Sequence, residues 1–130
     1  MTDGRGHPVT PFTHNGNVVI TVGSNSFVNG TRFRCQKKII IGEYAILGDA
    51  RILDTDFHSI CPNRWSPDAV VESKPIIIEK NVWISSGALV LKCVKKVSNS
   101  VVGFASVVTR DVPPDCVVAE NPGRVIRKLT

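Results

Sequence analysis

Two acidic residues and a histidine alternate in the stretch Asp54-Thr55-Asp56-Phe57-His58. A histidine titrates near neutral pH, so His58 could act as a general base that takes a proton from an attacking hydroxyl group or amine. Asp54, Asp56 or a main-chain carbonyl group could hold its imidazole in the required tautomer. Of the two acids, Asp56 is the better candidate because Asp54 occupies a predicted corner. Plainer readings stay open, since the histidine could be a surface residue and the acids could only shape the corner.

The elements that must position this histidine repeat every six residues. A six-residue period is neither the 3.6 of an α-helix nor the 2 of a plain strand. It predicts an all-β coil of short strands joined by corners, with one inward-facing anchor per strand. The apolar openers are Val22, Val28, Ile41, Leu47, Leu53, Ile78, Ile84, Val90, Val102 and Val108, and compact residues follow the later openers at Val82, Ala88, Val94, Ser100, Ser106 and Val112.

One hexapeptide departs from the pattern because Lys96 stands where an apolar opener is expected. A charged side chain that points into the core would be costly. Either the coil slips locally so that Val97 takes the inner position, or the Lys96 side chain extends so that its ammonium group reaches water.

The repeat divides the chain into three parts. Residues 1–17 form an irregular lead-in, 18–114 form the repeat domain, and 115–130 form a tail with a final strand at Cys116–Ala119 and a basic segment. A loop over 59–74 interrupts the repeat, since it abandons the period and holds two prolines and Trp65. Pro113 and Pro114 end the coil because neither can donate to a strand ladder.

Composition narrows the possible functions. The 130 residues suffice for one domain, and the charge of +5, from 16 basic and 11 acidic residues, favours an anionic ligand. This charge is too small and too scattered to indicate nucleic acid. No apolar run could span a bilayer, the first six residues are not a secretory signal, and four isolated cysteines indicate a reduced, cytoplasmic chain.

Together with the repeat, several motifs resemble the hexapeptide-repeat acyltransferases, in particular the branch of galactoside, maltose and xenobiotic acetyltransferases and surface-polysaccharide O-acetyltransferases. The motifs are DTDFHSI at 54–60, NVWI at 81–84, SVVTRDVPP at 106–114, NP at 121–122 and RVIR at 124–127. The resemblance implies a left-handed parallel β-helix, a homotrimer, and acetyl-CoA bound between neighbouring subunits. It also implies that His58 is the catalytic base.

The same resemblance assigns a cofactor-binding role to further residues. Trp83 would wall the channel, although a core role is also open, and Ser86 would donate a hydrogen bond to the developing charge, with Ser85 as its rival. Gly87, Phe104 and Ala105 would line the pantetheine arm. The CoA phosphates would be bound by a basic terminal set, although a solvated tail is the alternative: Thr109, Arg110, Arg124, Arg127 and Lys128.

The residues that would bind the acceptor substrate match the family less completely than those that would bind the cofactor. Asn29 matches an acceptor-contacting asparagine, and Trp65 could stack on a sugar ring or pin its loop. The acidic acceptor residue of the galactoside-type enzymes has no counterpart, and a basic stretch at 34–38 fills that place. We therefore expect a sugar acceptor that differs from a galactoside and could carry negative charge.

Three functions follow from this reading. The first is an acetyl-CoA-dependent O-acetyltransferase that acts on a sugar or a surface-polysaccharide precursor. The second is an N-acetyltransferase for an amino-sugar, which a histidine base would serve equally well. The third is a non-catalytic β-solenoid scaffold, which the irregular hexapeptide at Lys96 favours and the intact motif around His58 disfavours.

Overall fold

The structure, a computed structural model, describes residues 10–13, 18–95 and 98–129. These residues form short strands, turns and one loop, and they include no helix that could cross a membrane. The strands are β1 (Thr10–Thr13), β2 (Val19–Val22), β3 (Phe27–Asn29), β4 (Arg32–Cys35), β5 (Lys38–Ile41), β6 (Ile46–Gly48), β7 (Arg51–Leu53), β8 (Ile76–Ile78), β9 (Trp83–Ile84), β10 (Leu89–Val90), β11 (Val101–Val102), β12 (Val107–Val108), β13 (Cys116–Ala119) and β14 (Arg124–Lys128).

Consecutive strands pass in turn to three sheets. Sheet I has the order β2-β5-β8, sheet II has the order β14-β13-β11-β9-β6-β3, and sheet III has the order β1-β4-β7-β10-β12. Every pair is parallel except β13 with β14. From β1 to β10 each turn of the chain adds one strand to each sheet, whereas the later strands belong only to sheets II and III. These sheets confirm the predicted all-β arrangement of short strands joined by corners.

The core is a set of stacked columns of inward-facing side chains. In sheet II, Leu47 pairs with Ile84 and Ile84 with Val102, and each of the three is at most 1% exposed. A buried aliphatic side chain contributes about 1.5–3 kcal/mol, so such columns hold the turns together. The predicted compact positions are buried as well: Val82, Ala88, Val94, Ser100, Ser106 and Val112.

Two predicted anchors are not buried in the core. Val22 is 39% exposed in β2, which is an edge strand of sheet I. Leu53 is only half-buried, and the inward position in β7 is taken by Ile52, which is fully buried and pairs with Val90. The corner that follows Leu47 reaches the buried Ala50 one residue sooner than the equivalent corner after Ile84 reaches Ala88. Because side chains alternate along a strand, this shortening by one residue moves Leu53 to the outer face.

The ends of the coil carry more structure than an irregular lead-in and a tail. Strand β1 lies within the predicted lead-in and pairs in parallel with β4 at the edge of sheet III, where a strand can accommodate Pro11. The predicted strand Cys116–Ala119 is confirmed as β13, and the basic segment forms β14 against it. Lys96 and Val97, on which the predicted local slip depends, lie outside the described residues.

The loop 59–74 leaves sheet III after β7 and returns to sheet I at β8. Its two ends are joined by hydrogen bonds from Asp56 N to Glu72 O (2.9 Å) and from Lys74 N to Asp54 O (2.9 Å), and by a bridge between Thr55 and Ser73. We call residues 54–56 and 72–74 the neck of the loop. The neck fixes the point at which His58 leaves the coil.

The buried carboxylate of Asp54 holds the neck against the preceding turn. It accepts main-chain N–H groups from Gln36 (2.7 Å), Lys37 (2.8 Å) and Lys38 (2.8 Å), which form the corner between β4 and β5. The Cys35 thiol also donates to Asp54 Oδ2. Burial, together with the charge of Asp54, raises the pKa of this thiol to about 12, so it stays protonated as a donor.

We predict that Asp54→Ala lowers the free energy of unfolding by about 2–4 kcal/mol, because the substitution leaves buried N–H groups without an acceptor. Chemical denaturation measures the change. The matched control is Asp68→Ala in the exposed part of the loop, which should alter stability by less than about 0.5 kcal/mol. Equal stability of the Asp54→Ala protein and the unmodified protein would contradict the structural role of this carboxylate.

Candidate active site

His58 lies just beyond the neck, with its side chain exposed. Its main-chain N–H donates to Asp56 O at 2.7 Å, and the preceding residue, Phe57, has a left-handed backbone (φ 65°). The imidazole lines an open pocket of about 240 Å³ together with Arg64 and Trp65 of the loop. Since Trp65 is 93% exposed, it does not pin the loop to the coil, and its ring is presented to solvent next to the candidate base.

The two acidic residues that precede His58 have different partners. The Asp54 carboxylate binds the corner 36–38 of the preceding turn, so it shapes a corner distant in sequence rather than the one it was predicted to shape. The Asp56 carboxylate binds Lys92 Nζ at 2.8 Å, and Glu72 lies 3.7 Å from the same ammonium group. An orienting role of Asp56 for the imidazole stays a prediction, and the direct contact of Asp56 with His58 is through the main chain.

Lys92 is a residue whose role the sequence reading missed. It lies in the turn after β10, one turn of the coil beyond the neck that it contacts. The hydrogen bond to Asp56 raises the pKa of its ammonium group, so the ion pair persists at neutral pH. The residue type alone does not identify the partner of Lys92, because Asp56 lies 36 positions earlier in the chain and the contact depends on the register between turns.

Four predicted cofactor-binding residues meet at the corner between sheets II and III. Gly87 and Ala105 have left-handed backbones (φ 74° and 57°) in successive turns, and Ala105 N donates to Ser86 O at 3.1 Å. Phe104 is 74% exposed beside Ala105. Ser86 is exposed whereas Ser85 is half-buried, so Ser86 is the better placed of the two hydroxyl groups. We call these four residues the acyl corner.

Two further candidates lie on sheet II. Trp83 is 50% exposed on the outer face of β9, between Ile46 and Val101 of the adjacent strands. The alternative of a core role for Trp83 is therefore excluded. Asn29 ends β3, is half-buried, and its carbonyl oxygen accepts the Asp49 N–H at 2.7 Å.

The basic residues of the C-terminal stretch are only partly brought together. Arg110 and Arg124 line one depression of about 380 Å³ with residues 120–123, and Arg124 forms an ion pair with Glu120. Thr109 follows β12 and is exposed near Arg110 in the chain. Arg127 and Lys128 are exposed on β14 but do not line this depression.

The candidate base and the acyl corner are on different corners of the coil. His58 follows the corner between sheets III and I, whereas Ser86, Gly87, Phe104 and Ala105 occupy the corner between sheets II and III. One chain therefore presents the two halves of the predicted site at separate positions.

The fold is similar to those of solved acetyltransferases. The crystal structure of a maltose O-acetyltransferase from Clostridium difficile is 31% identical, with a TM-score of 0.77 over 96% of this chain and 68% of that chain. This chain belongs to the hexapeptide-repeat acyltransferases. A hexapeptide-repeat-containing acetyltransferase from Vibrio cholerae, solved with acetyl coenzyme A, is 29% identical, with a TM-score of 0.81 over 96% of this chain and 70% of the other.

The family assignment also has support from sequence relatives. The galactoside O-acetyltransferase of Lactococcus lactis is 35% identical over 91 residues, which make up 70% of this chain and 44% of the relative. The chain spans about half the length of the curated relatives it matches. No family model matches it.

We predict that Lys92→Met speeds tryptic cleavage after Arg64 in the hexapeptide-repeat chain about fivefold. The half-buried ion pair with Asp56 should stabilise the closed neck by about 1 kcal/mol, and cleavage requires local opening of the loop. Mass spectrometry of timed digests measures the rate. The control is Lys80→Met on an exposed turn away from the loop, and an unchanged rate in Lys92→Met would show that the ion pair does not secure the neck.

Proposed function

We propose that this hexapeptide-repeat protein is an acetyl-CoA-dependent O-acetyltransferase that acts on a sugar or a surface-polysaccharide precursor. The observation that carries the proposal is the exposed His58 imidazole in an open pocket beside the Trp65 ring. An aromatic ring can stack on a sugar, and an imidazole can accept the proton of a sugar hydroxyl group. The galactoside and maltose O-acetyltransferases named above support the same reaction class.

In the proposed reaction, acetyl-CoA supplies an activated acetyl group as a thioester. His58 takes the proton from the acceptor hydroxyl group as the hydroxyl oxygen attacks the acetyl carbonyl carbon. The thioester C–S bond then breaks, and His58 returns the proton to the departing CoA thiolate. The Ser86 hydroxyl, exposed at the acyl corner, donates a hydrogen bond to the oxygen on which charge develops. Asp56 orients the His58 segment through its main-chain carbonyl, with its carboxylate fixed by Lys92.

The residues that would hold acetyl-CoA fit an extended ligand with a charged end. The acyl corner presents main chain and small side chains at Gly87 and Ala105, which leaves room for a narrow pantetheine arm, and Trp83 and Phe104 are exposed to wall it. The phosphates would then meet the exposed basic residues, of which Arg110 and Arg124 share a depression. Arg127 and Lys128, which lie farther along the same strand as Arg124, would add positive charge.

We further infer a left-handed parallel β-helix that assembles as a homotrimer. His58 and the acyl corner lie on different corners of one chain, so a complete site would be assembled where the His58 corner of one copy faces the acyl corner of the next. Sheet II also carries an outward row of apolar side chains in register, which an assembly would cover. The members of this row are Phe27, Ile46, Trp83, Val101 and Val117.

We predict that His58→Asn lowers the rate of acetyl transfer by about 10²–10⁴, because asparagine keeps a polar side chain but accepts no proton at neutral pH. Thiol release from acetyl-CoA, measured with a panel of glycosides and amines, gives the rate and separates O- from N-acetylation. The dissociation constant of acetyl-CoA and the melting temperature should stay unchanged, since the imidazole is exposed. Normal turnover in the variant would remove His58 from the mechanism. If the unmodified protein released no thiol with any acceptor of the panel, the scaffold function would be favoured.

We also predict a particle with three times the mass of one chain in native mass spectrometry at micromolar concentration. Assembly would bury the apolar row of sheet II and complete the site. A single-chain mass would contradict both the trimer and the shared site.

A further inference from the structure

The outer face of sheet III carries three arginines in two adjacent strands. In the register of β4 and β7, Arg32 lies opposite Arg51 and Arg34 lies opposite Leu53. The residues between them, Phe33 and Ile52, are at most 2% exposed and point into the core. Because side chains alternate along a strand, the arginines point away from the core on one face.

The opposed pair of Arg32 and Arg51 is electrostatically unfavourable for the protein without a ligand. Like charges directly opposite each other on neighbouring strands destabilise a sheet. Within the described part of the chain, no carboxylate lies at salt-bridge distance from Arg32 or Arg51. Asp49 lines the adjoining depression with both of them but forms no ion pair with either. Among the described residues, therefore, none supplies a counter-ion at salt-bridge distance for this opposed pair.

The face around the arginines is concave and has an apolar part. Arg32, Arg34 and Arg51 line a depression of about 170 Å³ together with Leu53 and Phe57, and we call it the arginine pocket. Guanidinium groups bind carboxylate, sulfate and phosphate oxygens with two parallel hydrogen bonds. Leucine and phenylalanine contact the C–H face of a sugar ring.

The position of the arginine pocket connects it to the candidate base. Phe57 in its wall is the residue directly before His58. Part of the basic stretch at 34–38 has a structural role. The main-chain N–H groups of Gln36, Lys37 and Lys38 bind Asp54. Of that stretch, Arg34 is the residue that lines the pocket.

We propose that the arginine pocket binds the acidic group of a sugar ligand, a carboxylate, sulfate or phosphate, and that the ring of this sugar packs on Leu53 and Phe57. Under the proposed acetyl-transfer function, on which this assignment rests, that ligand is the acceptor or the residue next to the acetylated one. The charge of the acceptor is then the main feature by which this chain selects it.

The test uses the full chain, acetyl-CoA and three matched acceptors: methyl glucoside, methyl glucuronide and methyl glucoside 6-phosphate. The variant is Arg32→Gln/Arg51→Gln, and the control is Lys80→Gln, which removes one exposed positive charge elsewhere. We expect kcat/KM for at least one charged acceptor to exceed that for the neutral one tenfold or more. The double variant should lose this advantage with the neutral acceptor unchanged within twofold, and the control should keep it.

A preference for methyl glucuronide would indicate that the pocket binds a carboxylate. A preference for the 6-phosphate would indicate that it binds a phosphate or sulfate. The melting temperature of the double variant should be unchanged or higher, because the opposed charges are removed, so a loss of activity cannot be attributed to unfolding. Equal kcat/KM for neutral and charged acceptors, unaffected by the double substitution, would overturn the arginine pocket and leave the transferase in place.

Binding without turnover separates the two proposals. If no acceptor is acetylated, a titration of methyl glucuronide and the 6-phosphate followed by NMR decides the matter. Saturable binding that the double variant loses and the control keeps would support the arginine pocket and remove the transferase. Absence of such binding would overturn the arginine pocket as well.

Discussion

The structure depends on parallel pairing between equivalent strands of successive turns. Each strand has two to five residues in the described part of the chain, too few to be stable alone. Its hydrogen bonds and its inward side chain find partners only when the turns before and after are in register. The column of Leu47, Ile84 and Val102 is the clearest case, since each residue both pairs with and covers the next.

The corners are therefore where polar chemistry is found. At a corner the main chain turns away from its neighbours, and its N–H groups need other acceptors. Asp54 supplies one acceptor for three N–H groups of the preceding corner, and Ser100 plays a related part by accepting the Cys116 N–H and donating to Pro113 O. The left-handed residues Gly87 and Ala105 allow the tight change of direction at another corner. Candidate functional groups lie at these same places because corner side chains and main chain face solvent.

The loop is attached to this scaffold by electrostatics and by main-chain bonds at the neck. Lys92 joins a later turn to Asp56, and Asp54 joins the neck to an earlier corner, so three turns contribute to the position of His58. Sheet III adds a different kind of surface. Arg32 and Arg51 on its outer face lie opposite each other and do not pack in the core, which is the reason we attribute this pair to a ligand rather than to the fold.

The sequence by itself determined the all-β class, most of the anchors, the compact buried positions and the identity of the candidate base. These features depend on side-chain type and on a local period of six, which can be read from a few consecutive repeats. Only the tertiary structure decided that Ile52 rather than Leu53 faces inward, that Asp54 binds a corner while Asp56 binds Lys92, and that Arg32 lies opposite Arg51. Each of these contacts joins residues in different turns, and their register depends on the exact length of every corner between them. A one-residue change in a corner reverses which side chains point outward, and the hydrophobic pattern of a single strand does not reveal it.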